Sequence, residues 1–440
     1  MSFTEIRIDP QSAERMTKQG LRLQRVDTAD RVAFEAWLQA DARGFHGERI
    51  AGTQLEELVG QTAYRRTSGV WDDTAAEPET PIATVSSWPL AMTVPGDKQV
   101  PAWAISSVTV APTHHRRGIA RAMIEGELRT AAAQNLPLAV LTASEATLYG
   151  RYGFGPATQG AELTIQTRRA GWAGRETAGR VHLVSLQHIH RSGREILERA
   201  QLGSPGDVTL DEQLWGELVG VVGDEDNAKQ NRAVRFDDAD GVPQGFAIYS
   251  VKHSEGENTE RVATVEYLCS VTDDAYAGLW QYLLGLDLVG SVSARLRPVD
   301  EPLLWLVANP RAVRAAAVND HLWVRILDLK DALEARRYSA PGRIVLRVSD
   351  PLGFADGRVL LAVDDAGVGT ITALESDIGV PDATAELTLG VSELGALYVG
   401  GVSAATLARA GRLTDVQPGS AIAFDAAFRS PTTPWLSTWF

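Results

Sequence analysis

The residues whose types and spacing most clearly imply chemistry lie between Val108 and Arg121. Arg116, Arg117 and Gly118 separate a β-branched run (Ile105, Val108, Val110) from an apolar spacing typical of a helix (Ile119, Ala122, Met123, Leu128). A helix that starts at such a turn leaves its first N–H groups unpaired, and its dipole favours negative charge there. Gly118 lets a phosphate approach the backbone closely, and the guanidinium groups add charge-assisted hydrogen bonds. The ligand this implies is a pyrophosphate; the plainer alternative is a basic strand-to-helix turn without a ligand. Two elements must position it. A strand is predicted over Val100–Val110, stopped by Pro112, which cannot donate to a ladder. A helix is predicted from Gly118 to about Asn135.

The turn resembles the acyl-CoA-binding turn of the GNAT N-acetyltransferases, Arg/Gln-x-x-Gly-x-Gly/Ala. His115 through Ala120 fill that pattern, with His115 where Arg or Gln is usual. A second block follows the apolar run Leu138–Ser144, which suits a buried parallel strand. It resembles the SEGGIYGRFGYGPAT segment of the enhanced intracellular survival (Eis) family of multidomain GNAT enzymes. The shared positions are Ser144, Glu145, Tyr149, Gly150, Arg151, Gly153, Gly155, Pro156, Ala157 and Thr158.

The resemblance implies direct acetyl transfer from acetyl-CoA to a primary amine, with no metal. It implies that Val108, Thr109 and Val110, on a splayed central strand, offer an N–H to the oxyanion. Arg116, Arg117, Gly118, Ile119 and Ala120 would hold the diphosphate, with Arg121 near the phosphates and Ser144 and Glu145 beside the pantetheine arm. Tyr149 would be the acid that protonates the departing thiolate, with Tyr152 as its decoy. Phe440 matches the family's last residue, whose terminal carboxylate acts as general base; Trp439 stands where relatives often carry an acid. The aromatic tail (Trp435, Leu436, Trp439, Phe440) also reads as a simple latch on the body of the protein. A homohexamer is implied by the family alone.

Length allows two to four domains. A formal charge of −14 disfavours nucleic acid and suits cationic substrates. No apolar run is long enough for a membrane span, and the polar N-terminus has no signal-peptide core. A single cysteine, Cys269, excludes internal disulfides and thiolate metal clusters and fits a reducing cytoplasm. His188 and His190 alternate without an obvious third ligand, so no metal is expected there.

Along the chain, residues 1–20 read as a loose lead-in. Leu21–Arg25 alternates like a strand, and Asp27, Thr28 and Asp30 mark a helix start. Trp37 and Phe45 either line the acceptor pocket or pack. The residues Arg168–Gly179 read as a linker, and the following region repeats the strand and helix order of the first. Its counterpart of the phosphate turn opens with Asp273 and Asp274, which would repel an anion. From residue 339 strands precede short helices, an α+β pattern resembling a sterol-carrier-protein domain. The expected architecture is therefore α/β and α+β: a catalytic GNAT domain (1–167), a degenerate GNAT-like domain (168–338) and a sterol-carrier-protein-like domain (339–440). The leading function is N-acetylation of aminoglycoside-like polyamines; protein lysine acetylation and a lipid-binding scaffold are the alternatives.

Overall fold

The central strand predicted from residue 100 runs over Lys98–Val110 in the computed structural model, which describes residues 2–222, 230–253, 261–375 and 385–440. In chain order the strands of the first region are β1 (Leu21–Arg25), β2 (Arg66–Asp72), β3 (Ala83–Val94), β4 (Lys98–Val110), β5 (Leu138–Thr142) and β6 (Gly155–Pro156). The helices are α1 (Pro10–Thr17), α2 (Arg31–Gly44), α3 (Thr53–Thr62), α4 (Ile119–Ala133) and α5 (Ala146–Tyr149).

Residues 1–157, 322–430 and Phe440 form one compact unit; residues 158–321 and 431–439 form another. Within the first, a seven-stranded sheet has the order β1-β2-β3-β4-β5-β14-β6. Here β14 is Leu322–Ile326, a strand that follows residues 158–321 of the second unit in the chain and pairs antiparallel with β5. All five of its residues are buried, as a two-faced central strand requires. Helix α4 buries Ile119, Ala122, Met123 and Leu128 against this sheet. Its Glu127 is also buried, and it is satisfied by the Arg66 guanidinium, Ser87 Oγ at 2.7 Å and the Trp103 indole N–H at 3.1 Å. Three donors on one carboxylate are what keep such a charge tolerable out of water.

The lead-in expected over residues 1–20 is corrected. It contains α1, capped by the Asp9 carboxylate accepting from the Ser12 N–H. Its signal is faint because a helix of eight residues is marginal alone and depends on packing. That packing is against α4: Ser12 Oγ donates to Ala122 O at 2.6 Å, and Asp9 pairs with Arg129 at 2.8 Å. The helix Arg194–Leu202 is preceded by another, Leu186–Ser192, and the two meet at Gly193. Part of the expected linker is ordered too, since Thr167–Ala170 is a helical turn and Trp172 bridges to Val307.

The last region contributes a five-stranded sheet to the first unit. Its strands are β15 (Gly342–Ser349), β16 (Gly357–Val363), β17 (Gly369–Ala373), β18 (Ala385–Gly390) and β19 (Leu413–Asp415), in the order β17-β16-β15-β18-β19. Strands followed by short helices match the expected α+β pattern.

The second unit holds β7 (Gln159–Gln166), β8 (Arg180–Val184), β9 (Asn231–Asp237), β10 (Pro243–His253), β11 (Arg261–Ser270), β12 (Val289–Arg297) and β13 (Val313–Asp320). They form one sheet in the order β13-β7-β12-β11-β10-β9-β8. The helix Asp273–Leu284 is capped by Thr272, and its two leading aspartates lie near Arg175. Cys269 is buried, as a core residue would be. His188 bonds Arg235, and His190 lies near Glu212 and stacks on Trp215.

His321 is 1% exposed, and its Nε2–H donates to Thr438 O at 2.7 Å. Burial pushes its pKa down to about 4, below its ordinary value of 6.5. The unfolded chain therefore takes a proton first, so stability is lost as pH falls from about 6.5 toward 4, by up to about 3 kcal/mol. Thermal melts of His321→Gln between those limits should show a flatter pH dependence than the parent protein.

Candidate active site

The phosphate turn is built as a left-handed corner. Arg116 has φ 62° and Gly118 φ 73°, and Gly118 is the N-cap of α4. No side chain caps this helix, so its leading N–H groups are left for a ligand. A Cβ at Gly118 would come within 3.2 Å of Arg15 Nη2, so the α1 arginine stands over the turn. Arg15 was not singled out from the sequence, because it lies in the stretch read as a lead-in. Of the expected cations, Arg121 pairs with Glu125 at 2.6 Å, while Arg117 turns away to Gln19 O and lies 3.9 Å from Asp72. His115 Nε2–H donates to Val110 O at 2.9 Å, tying the turn back to the strand it follows. The uncapped helix start and the glycine corner fit the diphosphate of an acyl-CoA.

The strands beside the turn separate. β4 pairs with β5 only from Ala102 to Ala104, opposite Leu138 to Val140. Beyond Ala104 the β5-facing edge of β4 has no strand on it among the described residues, although β4 stays paired with β3 as far as Val110. On the β3 side, Thr84 faces Thr109 and Ser86 faces Ser106, which leaves β4 with one extra residue. This is a β-bulge, and Ser107 carries its strain at φ 54°. Val108, Thr109 and Val110 lie immediately after it.

Phe440 occupies this splay. Phe440 O accepts from Ser106 Oγ on β4 at 3.4 Å and from Thr142 Oγ1 on β5 at 3.2 Å. Its ring meets Trp88 edge-on, with centroids 5.9 Å apart, and Arg65 covers Trp88 at 4.2 Å. Ser106, Thr142 and Trp88 were not expected from the sequence: each is an ordinary strand residue until the terminus is placed beside it.

Tyr149 ends α5, just after β5, and is 5% exposed. Burial raises its pKa above 10, and Ser144 hydrogen-bonds it. The phenol is thus a neutral proton donor at ordinary pH. Tyr152 is likewise raised by burial, but it faces Glu125, Arg121, Arg151 and Arg15. Glu145 is the N-cap residue of α5 and accepts from Thr147 Oγ1 at 3.1 Å.

The two aromatic candidates of α2 differ. Trp37 is 1% exposed, donates its indole N–H to Ser68 O at 2.8 Å and stacks on Phe34. It is a core residue. Phe45 follows the last turn of α2 and is 51% exposed. Asp41 was missed. It lies by Ser107 Oγ and Thr84 Oγ1, each at 3.4 Å, and burial lifts its pKa to about 6. A signal was present, since Asp41 continues the apolar stripe of Phe34, Trp37 and Leu38 at helical spacing. Among the described residues, no group of three or more His, Cys, Asp or Glu is set to hold a metal, and no helix is long and apolar enough to cross a membrane.

Comparison with known proteins agrees with this geometry. Residues 25–157 match an acetyltransferase (GNAT) domain family, residues 206–326 a second acetyltransferase (GNAT) domain family, and residues 329–437 the sterol carrier protein domain family. The chain is 35% identical over 412 residues to an uncharacterized N-acetyltransferase of Streptomyces avermitilis, spanning 92% of this chain and 96% of that protein. It is 35% identical over 353 residues to the N-acetyltransferase Eis of Mycobacterium tuberculosis, spanning 78% of this chain and 81% of that one. The crystal structure of Eis1 from Mycobacterium abscessus superposes with a TM-score of 0.81 at 29% identity, covering 96% of this chain and all of that one (100%). A GCN5-related N-acetyltransferase from Kribbella flavida shares the fold at 24% identity and a TM-score of 0.73, covering 96% and 98% of the two chains.

Proposed function

Because the chain belongs to the Eis family of GNAT N-acetyltransferases, we propose that it acetylates primary amines of cationic, aminoglycoside-like small molecules from acetyl-CoA. The observation that most supports this reading is the terminal carboxylate in the β4–β5 splay, bonded by Ser106 and Thr142. An ammonium has no lone pair, so a base must act first, and the Phe440 carboxylate takes that proton. The freed amine attacks the thioester carbonyl carbon. N–H groups of the unpaired β4 edge, at Val108 to Val110, stabilise the oxygen as it gains charge. The C–S bond then breaks as Tyr149 gives its phenolic proton to the sulfur, and the second proton of the attacking nitrogen is lost as the amide forms and restores the phenol. The turn from Arg116 to Arg121 holds the diphosphate, and Ser144 and Glu145 flank the arm. Phe45 borders the acceptor side.

The expected bounds of 167 and 338 shift, because β7 belongs to the second unit's sheet and β14 to the first; we assign the first sheet with its helices as catalytic, the second unit as a degenerate GNAT-like scaffold, and the last domain as the one that carries the base. A cytoplasmic homohexamer completes the proposal. The −14 formal charge favours polycationic acceptors by attracting them. The test is thiol release on mixing the protein with acetyl-CoA and a set of aminoglycosides, with mass spectrometry counting the acetyl groups added. More than one acetyl group on one acceptor is expected, and absence of turnover on every amine would reject the assignment. Tyr149→Phe should reduce kcat by about 10²-fold or more while the Kd for acetyl-CoA, read by calorimetry, stays near the parent value. Equal loss of both would remove Tyr149 from the acid role.

A further inference from the structure

The tail residues 431–439 run through buried polar groups of the second unit that the chemistry above leaves unused. Asp207 is 2% exposed and accepts from the Ser437 N–H at 3.3 Å and from Ser437 Oγ at 3.1 Å. Because Ser437 Oγ–H is given to the carboxylate, the 2.9 Å bond between Ser437 and Tyr267 has the phenol as donor. The Trp435 N–H donates to Pro205 O at 2.8 Å and its indole N–H to Leu296 O at 2.6 Å. One residue beyond Ser437, Thr438 O accepts from His321, whose ring lies 4.3 Å from that of Trp439. Leu436, between these polar anchors, is fully buried.

Chain ends usually fray because nothing holds them. Here a carboxylate removed from water spends two of its hydrogen bonds on one serine of the tail. Apolar packing of Trp435 and Leu436 would secure the segment without that cost. Burial also lifts Asp207 to about 7; Ser437 and the Val208 N–H hydrogen-bond it, and Tyr267 and Cys269 are its titratable neighbours, with Arg297 and Arg199 acting on Cys269 in turn. What the arrangement adds over packing is a fixed axial position. Apolar side chains tolerate small slides along a groove, whereas hydrogen bonds to Ser437 and Thr438 do not. The terminal carboxylate follows within three residues of Ser437, so its place depends on where these two are held.

We propose that Asp207, together with Tyr267 and His321, is a positioning site that clamps Ser437 and Thr438 and so sets the terminal carboxylate for proton abstraction. The last clause rests on the reading of Phe440 as base; the clamp itself does not. Asp207→Ala and Ser437→Ala in the full chain test both. Carboxypeptidase A digestion of the native protein should release Phe about tenfold faster from either variant than from the parent. A displacement of the base of about 1 Å should lower kcat by about 10- to 100-fold, leaving the KM for acetyl-CoA unchanged. Asp207→Asn, which keeps an acceptor for Ser437, should restore most of both, and the Asp207→Ala/Ser437→Ala double variant should be no worse than either single one. Unchanged Phe release with unchanged kcat overturns the clamp, as does a joint fall of kcat, acetyl-CoA affinity and Tm, which would mark general unfolding. Faster release with kcat unchanged supports the clamp and takes the base assignment from Phe440.

Discussion

A few residues appended beyond Phe440 should lower kcat by about 10²- to 10⁴-fold, the usual contribution of a positioned general base, without lowering Tm. The extension converts the terminal carboxylate into a peptide carbonyl, which has no useful basicity. It also drives extra chain into the gap where Ser106 and Thr142 close on the last residue. A free terminal carboxylate has a reference pKa of about 3.3–3.7. In the fold the Phe440 ring packs edge-on against Trp88. The measurement is steady-state kinetics on the extended chain beside one in which a protease removes the extension back to Phe440. Activity should return on trimming. An extended chain with parental kcat would sink the base assignment, whereas the acetyl-CoA turn would be untouched by that result.

The second large effect concerns stability. Asp350→Ala should destabilise the fold by about 3–5 kcal/mol, because it strands a buried guanidinium. Both side chains of the Arg325–Asp350 pair are fully out of solvent, and one Arg325 nitrogen meets both carboxylate oxygens at 2.8 Å. Asp350 also accepts from the N–H groups of Leu352 and Ala355. Arg325 lies on β14, in the first sheet, and Asp350 follows β15, in the sheet of the last domain. Removing the carboxylate therefore leaves an unpaired charge and two unpaired amides at the seam of those two layers. Thermal melts should show a large drop in Tm for Asp350→Ala. The double variant Arg325→Met/Asp350→Leu should recover most of it, since no charge is then left buried. A single variant that melts like the parent would show that the seam is held by apolar packing.

The architecture of two GNAT domains and a closing sterol-carrier-protein domain was legible in the sequence because its motifs are local. The turn from His115 to Ala120 and the block from Ser144 to Thr158 are each continuous in the chain. Strand alternation marked Leu21–Arg25, and the shift to helical spacing after Gly118 marked α4, because side-chain burial on one face imposes those periods. The eight-residue helix from Pro10 to Thr17 was not legible, since its stability comes from Ser12 and Asp9 docking on α4, about 110 residues away. Nor was the return of Leu322–Ile326 into the first sheet between β5 and β6. An apolar run announces a buried strand, but no residue in it names the neighbour it will pair with.

The sequence by itself marked the segments that the proposed reaction uses: the glycine corner at Gly118, Tyr149 after the fifth strand, and the aromatic run of Trp435, Trp439 and Phe440. Each depends on residue type and short spacing, which local physics reads directly. Tertiary structure alone decided what surrounds them. It opened β4 from β5 beyond Ala104, set Ser106 and Thr142 on Phe440 O, sent Trp37 into the core and brought Asp41 beside the bulge at Ser107. These are pairings between residues up to 334 positions apart. They are fixed by the competition of every buried group for partners and space, a property of the folded whole that no segment of the chain carries alone.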